Sequence, residues 1–182
     1  MPKKIKNISI MGDGGWGTTL ALLLAEKGFS VTLWGAFPKY ISEMGKTREN
    51  RKFLPGIKFP PSIILTSDVE TAVSQSDIIV LAVPSQYLSD VLKKIKKSDY
   101  QKKHFVSVIK GIELTSFMTM SQLIQKELGK VPIAVLSGPT IAIEVARKIP
   151  TTAVVASQDQ KLAQEIQGIF SCDYFRVYTN TV

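Results

Sequence analysis

Apolar positions along this chain switch period again and again. Short apolar runs fall at residues 7–11, 30–34, 63–66, 77–83, 104–109, 133–137, 152–156 and 175–178. Between them, apolar residues recur at helical spacing over 16–27, 68–74, 85–95, 116–128, 140–146 and 159–170. Runs of the first kind predict strands and those of the second predict helices. Regular alternation of the two is the pattern of βαβ units around a mostly parallel sheet. The run DIIVLAV (77–83) is apolar at every position after Asp77, as expected of a strand covered by helices on both faces. The predicted fold is α/β: a doubly wound, mostly parallel sheet of about eight strands. One stretch breaks the rhythm. Residues 45–61 hold Arg48, Glu49, Asn50 and Arg51 and then LPGIKFPP, whose prolines forbid regular helix or sheet. This predicts either a long ordered excursion or a mobile loop.

Composition narrows the class. The 182 residues suffice for one domain with its own core, and no boundary is expected within 1–182. A charged fraction of 21% and a mean hydropathy of +0.11 exclude a disordered or coiled-coil chain. No apolar run approaches the ~20 residues that span a bilayer. The start, MPKKIKNISIM, passes from three lysines into an alternating strand without a signal-peptide core. A cytoplasmic protein without membrane insertion is expected. Cys172 can form no internal disulfide, and with His104 alone it cannot build a four-ligand zinc site, so no metal is expected.

The net charge of +8 comes from two clusters. Lys3, Lys4 and Lys6 form one; Lys93, Lys94, Lys96, Lys97, Lys102 and Lys103, set against Asp99, form the other. The second contains no Arg and only Tyr100 as an aromatic, unlike surfaces that stack on bases or read them. It is expected to be a solvated helix end and loop, not a nucleic-acid site.

The chemistry concentrates at strand ends. Residues 12–17 read GDGGWG, so Gly12, Gly14 and Gly17 form a G-x-G-x-x-G set between the first strand and the first helix. Gly12 permits the tight turn, Gly14 lets backbone approach a pyrophosphate, and Gly17 lets the helix lie close to the sheet. The amides of Gly14, Gly15 and Trp16 would point at phosphate oxygens, assisted by the helix dipole. This context favours a dinucleotide, NAD or NADP, and a Rossmann-like domain; a glycine-rich turn without ligand is the plain alternative. Two features depart from a standard NAD site. Residues 32–36 hold no carboxylate for the ribose 2′-hydroxyl, so a 2′-phosphate is not repelled; Lys39 could reach one, and NADP is allowed. Asp13 places a carboxylate inside the phosphate loop, tolerable if its side chain turns away.

Three further strand ends are candidates. Pro84-Ser85 follows the fourth strand, and the Ser85 hydroxyl suits either a helix cap or a ligand. Lys110-Gly111 ends the apolar FVSVI, where a lone lysine points to an anion or a reacting oxygen. Ser137-Gly138-Pro139-Thr140 opens a helix with free amides and two hydroxyls suited to phosphate or carboxylate. His104 reads as an exposed edge residue rather than a base.

These segments also carry a resemblance. ISIMGDGGWGTTLALLLAEKG (8–28) with VTLWG, NRKFLPGIKFP (50–60), DIIVLAVPS (77–85), IKGIE (109–113), LSGPTIAIEVA (136–146) and FRVYTN (175–180) closely resemble the NAD(P)-dependent glycerol-3-phosphate dehydrogenases of bacteria, in order and spacing. The glycine loop is generic, whereas NR-x-x-LPG, the VPS and KG corners and SGPT-x-A-x-E in series are specific to this family. The resemblance implies hydride transfer between NAD(P)H and dihydroxyacetone phosphate, giving sn-glycerol 3-phosphate for phospholipid synthesis, in an enzyme that can form a homodimer. It implies that Gly15 and Trp16 contact the cofactor phosphates, that Lys110 contacts cofactor and glycerol phosphate, that Gly138 and Thr140 touch substrate, and that Ala142 touches cofactor. Pro84 and Ser85 join the cofactor set.

Ala36 stands where many members place a basic or polar residue, which weakens 2′-phosphate recognition. After VYTN the family continues into a helix carrying Gly-Gly-Ala-x-Lys-Asn, whose lysine accepts the proton, and later to an Asp and an Arg-Asn pair. The printed chain ends at Val182, before those positions. The resemblance therefore implies a cofactor-binding half without the C-terminal helical substrate domain, not expected to complete the reaction by itself. A stand-alone nucleotide-binding or sensing module and the N-terminal domain of another dehydrogenase, of the 6-phosphogluconate or ketopantoate type, are the alternatives.

Overall fold

The computed structural model describes residues 5–181, so Lys3 and Lys4 of the first basic cluster lie outside the described residues. Eight strands form one sheet: β1 (Asn7–Met11), β2 (Ser30–Trp34), β3 (Ile63–Thr66), β4 (Ile78–Leu81), β5 (His104–Ser107), β6 (Ile133–Ser137), β7 (Thr151–Ser157) and β8 (Phe175–Thr181). Their spatial order is β3-β2-β1-β4-β5-β6-β7-β8. Neighbours run parallel except β6 and β7, which are antiparallel. The helices are α1 (Gly15–Glu26), α2 (Pro38–Thr47), α3 (Val69–Ser74), α4 (Leu88–Ile95), α5 (Met120–Leu128), α6 (Ala142–Ala146) and α7 (Gln160–Phe170), with a 3-10 turn at Ser85–Tyr87.

Strand β4 shows why the sheet is covered twice. Successive side chains point to opposite faces. Ile78 and Val80 join a cluster with Leu20, Leu24, Ile166 and Phe170, while Ile79 and Leu81 join another with Leu88, Leu92, Leu123 and Ile124. Each such side chain contributes about 1.5–3 kcal/mol by leaving water, which fixes β4 as the central spine. The chain leaves β1 toward β2 and β3 on one side, then returns to β4 and continues toward β8 on the other. That reversal opens a crevice beyond the carboxyl ends of β1 and β4, the usual ligand position in such sheets.

Three sequence expectations change, and one open alternative is decided. Helix α2 is absent from the sequence expectation because only Ile41 and Met44 are buried on it, too few to set a helical period. Pro38 occupies the first turn, where its missing N–H has no partner to lose. The predicted helix 116–128 starts at Met120, because Phe117 sits at φ +55° and Thr119 with Gln122 forms a capping box. His104 is not on an edge: β5 lies between β4 and β6, and the imidazole stands at its amino end, 3.6 Å from Glu165. Finally, 48–61 is an ordered strap. Glu49 bridges Lys58 in a short antiparallel contact and holds its ammonium at 2.8 Å, Arg48 donates to the carbonyls of Pro60 and Ile63, and Leu54 and Phe59 are buried.

Among the described residues, no helix is long and apolar enough to cross a membrane, and no group of three His, Cys, Asp or Glu could hold a metal ion.

Candidate functional site

The crevice begins where β1 runs into the glycine loop. Gly12 adopts φ +132°, and a Cβ there would stand 2.7 Å from the carbonyl of Ala82 at the exit of β4. Its amide donates to the Trp34 carbonyl at 3.0 Å, tying the turn to the end of β2. A Cβ on Gly17 would come within 2.0 Å of the Gly12 carbonyl oxygen, so the first turn of α1 rests directly on the loop. Gly14 differs. It is the N-cap of α1, and nothing lies within 4 Å of the position a Cβ would take. No side chain caps the helix and its first turn carries no acid. The open space at Gly14, with the uncapped positive end of a 12-residue helix behind it, is an arrangement that fits a pyrophosphate.

The strap at 48–61 lies over this loop. A Cβ on Gly15 would meet the Phe53 carbonyl oxygen at 2.8 Å. Asn50, fully buried, is the fastening. Its Nδ2 donates to the Asp13 carbonyl at 2.7 Å and to Thr18 Oγ1 at 2.8 Å. Its Oδ1 accepts from the Tyr40 hydroxyl at 2.6 Å and from the Phe53 amide at 3.1 Å. The NR-x-x-LPG segment stands out in the sequence, but nothing local to it assigns Asn50, Phe53 or Tyr40 a role. These contacts join residues 32 and 37 positions apart and leave no trace in local periodicity.

Asp13 does turn its side chain away from the open side of the loop. Its carboxylate lies against Gly35 at the tip of β2, with Oδ2 buried and without a hydrogen-bond partner among the described residues. Burial pushes its pKa up, opposed by its own backbone amide and by the charge of Lys52.

The remaining predicted residues form one chain of contacts. The Lys110 ammonium donates to the Thr140 carbonyl at 3.3 Å. Ala142 supplies its carbonyl to Thr19 Oγ1 at 3.0 Å, and its Cβ would lie 3.6 Å from a Cβ on Gly15. Ser85 Oγ stands 3.7 Å from where a Cβ on Gly111 would sit. No side chain caps either the 3-10 turn or α4, so the structure gives the Ser85 hydroxyl no capping role. Pro84 is exposed at the start of that turn. Gly138 is required by packing, because a Cβ there would be 2.8 Å from the Thr152 carbonyl oxygen. The Trp16 ring turns to Phe175 with centroids 6.1 Å apart, which leaves its backbone as the part at the loop. His104 is at the opposite end of the sheet.

A cavity of about 370 Å³ lies away from this edge, between α1, α6 and the strap, lined by Leu22, Leu23, Ile57, Val145 and Tyr174 among others. It has none of the glycine-loop amides and is not the site inferred from the chemistry.

A family profile for the NAD-dependent glycerol-3-phosphate dehydrogenase N-terminus matches residues 7–163. The NAD(P)+ glycerol-3-phosphate dehydrogenase of Syntrophomonas wolfei is 45% identical over 99% of this chain and 52% of its own length. That of Prosthecochloris aestuarii is 42% identical over 96% and 53% respectively. The crystal structure of the Coxiella burnetii glycerol-3-phosphate dehydrogenase superposes with a TM-score of 0.92 at 33% identity, covering 97% of this chain and 54% of that one. The chain thus spans about half the length of the curated relatives it matches. With the family profile satisfied over most of its length, the chain belongs to the family of NAD-dependent glycerol-3-phosphate dehydrogenase N-terminal domains.

Proposed function

We propose that residues 7–181 form one dinucleotide-binding domain that holds NAD(H) or NADP(H) for the interconversion of dihydroxyacetone phosphate and sn-glycerol 3-phosphate. The observation that carries this is the convergence at one sheet edge of the uncapped α1 N-terminus, Lys110 on the Thr140 carbonyl, and Ala142 beside Gly15. The bound cofactor supplies the hydride chemistry. The amides of Gly14, Gly15 and Trp16 bind its pyrophosphate, and the open face above Gly14 admits it. Asn50 and Phe53 fix the loop from above. Lys110, exposed and one bond from Thr140, is placed to hold the substrate phosphate or steady the carbonyl oxygen as negative charge develops. Gly138 and Thr140 frame the substrate side, and Pro84, Ser85 and Ala142 the cofactor side.

In the complete enzyme this activity serves phospholipid synthesis in the cytoplasm, in a homodimer, with no nucleic-acid partner. The lysine run supports that last point. Lys93 and Lys94 sit in the last turn of α4, where their charge complements the negative end of the helix dipole, and Lys103 donates to the carbonyls of Ser74 and Ser76 at 3.1 and 2.6 Å.

Fluorescence titration of the chain with NADH and NADPH tests the proposal. Saturable binding of at least one is expected; no binding of either at millimolar concentration would remove it.

A further inference from the structure

The adenosine end of the crevice poses a charge question that the motif set leaves open. In open α/β sheets an acid at the tip of the second strand accepts the ribose 2′-hydroxyl and repels a 2′-phosphate. Here β2 ends in Trp34, followed by Gly35 and Ala36, and carries no acid. The fold brings one there from elsewhere. The Asp13 carboxylate lies so close to Gly35 that a Cβ on that glycine would stand 2.5 Å from Oδ2 and 2.6 Å from Cγ. The missing side chain at 35 is therefore what makes room for the carboxylate.

Two further observations single out Asp13. Its Oδ2 is buried with no hydrogen-bond partner among the described residues, a cost to folding that only its own backbone amide and the charge of Lys52 oppose. Beside the same tip lies a cavity of about 330 Å³ bordered by Trp34 and Ala36, in which Asp68 and Glu70 balance Lys94 and Lys97. Those four charges cancel, so the cavity adds no net charge of its own beside the Asp13 carboxylate, which Lys52 faces.

We propose that Asp13 does from within the phosphate loop what an acid at the end of β2 does in other sheets of this kind, and that the site consequently selects NAD(H) over NADP(H). This rests on the cofactor-binding function above and reverses the expectation drawn from Lys39. That lysine lies exposed on the first turn of α2, where water and salt screen it, whereas the carboxylate is partly buried.

The test is a pair of fluorescence titrations, NADH and NADPH, on the chain and on Asp13→Asn, which keeps the shape and removes the charge. Thermal melting of each protein checks that it is folded. NADH should bind about tenfold or more tightly than NADPH in the parent, and Asp13→Asn should narrow that ratio to about threefold or less by gaining NADPH affinity. Asp13→Ser, smaller and also neutral, should narrow it likewise. A parent that binds both nucleotides equally or prefers NADPH overturns the proposal, as does a folded Asp13→Asn or Asp13→Ser protein with the parent's ratio. A folded parent that binds neither nucleotide overturns the cofactor function itself, and this proposal with it.

Discussion

Asn50→Ala is the substitution whose consequence the structure specifies most fully. The side chain is completely buried and makes four hydrogen bonds, two as donor and two as acceptor. Truncation leaves the Phe53 amide without its partner and takes Nδ2 from the Asp13 carbonyl and Thr18 Oγ1, which keep only their long bond to each other at 3.5 Å, while the Tyr40 hydroxyl also meets the exposed Lys52 amide. A buried polar group left without its partner costs about 1–3 kcal/mol. That remaining bond and relaxation of the strap should offset part of these losses, leaving a net destabilisation of about 3 kcal/mol. For a domain of this size each kcal/mol moves the melting temperature by about 2–4 °C, so a fall of about 6–12 °C is expected. Thermal unfolding followed by circular dichroism measures it. Arg51→Ala is the control: its side chain is 61% exposed and reaches Glu49 only at 3.7 Å, so it should stay within about 0.5 kcal/mol of the parent. An Asn50→Ala protein that melts within about 2 °C of the parent would refute the view that this residue fastens the strap to the glycine loop.

Four other outcomes follow from the structure. Gly14→Val should fold with a melting temperature within a few degrees of the parent, because its backbone at φ −68° is ordinary and its Cβ meets open space, yet it should lose NADH binding in a fluorescence titration. Gly17→Ala should instead fail to fold or melt far lower, because its Cβ would collide with the Gly12 carbonyl. In the complete enzyme Lys110→Ala should lower kcat by about 10²-fold or more while NADH affinity stays largely unchanged, and near-normal turnover would remove its role. The Glu113 carboxylate accepts from the Ser116 hydroxyl and amide and from the Thr115 amide, which holds its pKa down to about 2. Its ordering of the 113–116 turn is therefore complete above pH 4.5 and lost as pH falls through about 2. Amide signals of Thr115 and Ser116 followed by NMR should change over that window, and no change would show that the carboxylate is not what holds the turn.

What the sequence revealed depended on whether the determining contacts were local. The apolar run around β4 announced a central strand because burial on both faces leaves no polar position. The glycine loop was legible because its three glycines answer to three nearby steric demands, and two of them proved to be collisions with backbone. Helix α2 was hidden because just two buried anchors hold it. The start of α5 was misplaced because the apolar residues before Thr119 imitate a helical face, while Phe117 at positive φ breaks it. The role of Asn50 comes from Asp13 and Thr18, and the direction of Asp13 from Gly35, partners distant in sequence. A polar residue gives no periodic signal of which distant partner it will meet.

The claim on which the rest stands is that the edge formed by Gly12–Gly17, Lys110 and Ala142 is where the cofactor binds. Recording the amide nitrogen–proton NMR spectrum while NADH is added tests it residue by residue. The account predicts that Gly14, Gly15 and Trp16 move most, with Lys110 and Ala142 following and His104 at the far end of the sheet unchanged. Shifts confined to the cavity around Leu22, Val145 and Tyr174, with the loop amides still, would contradict it.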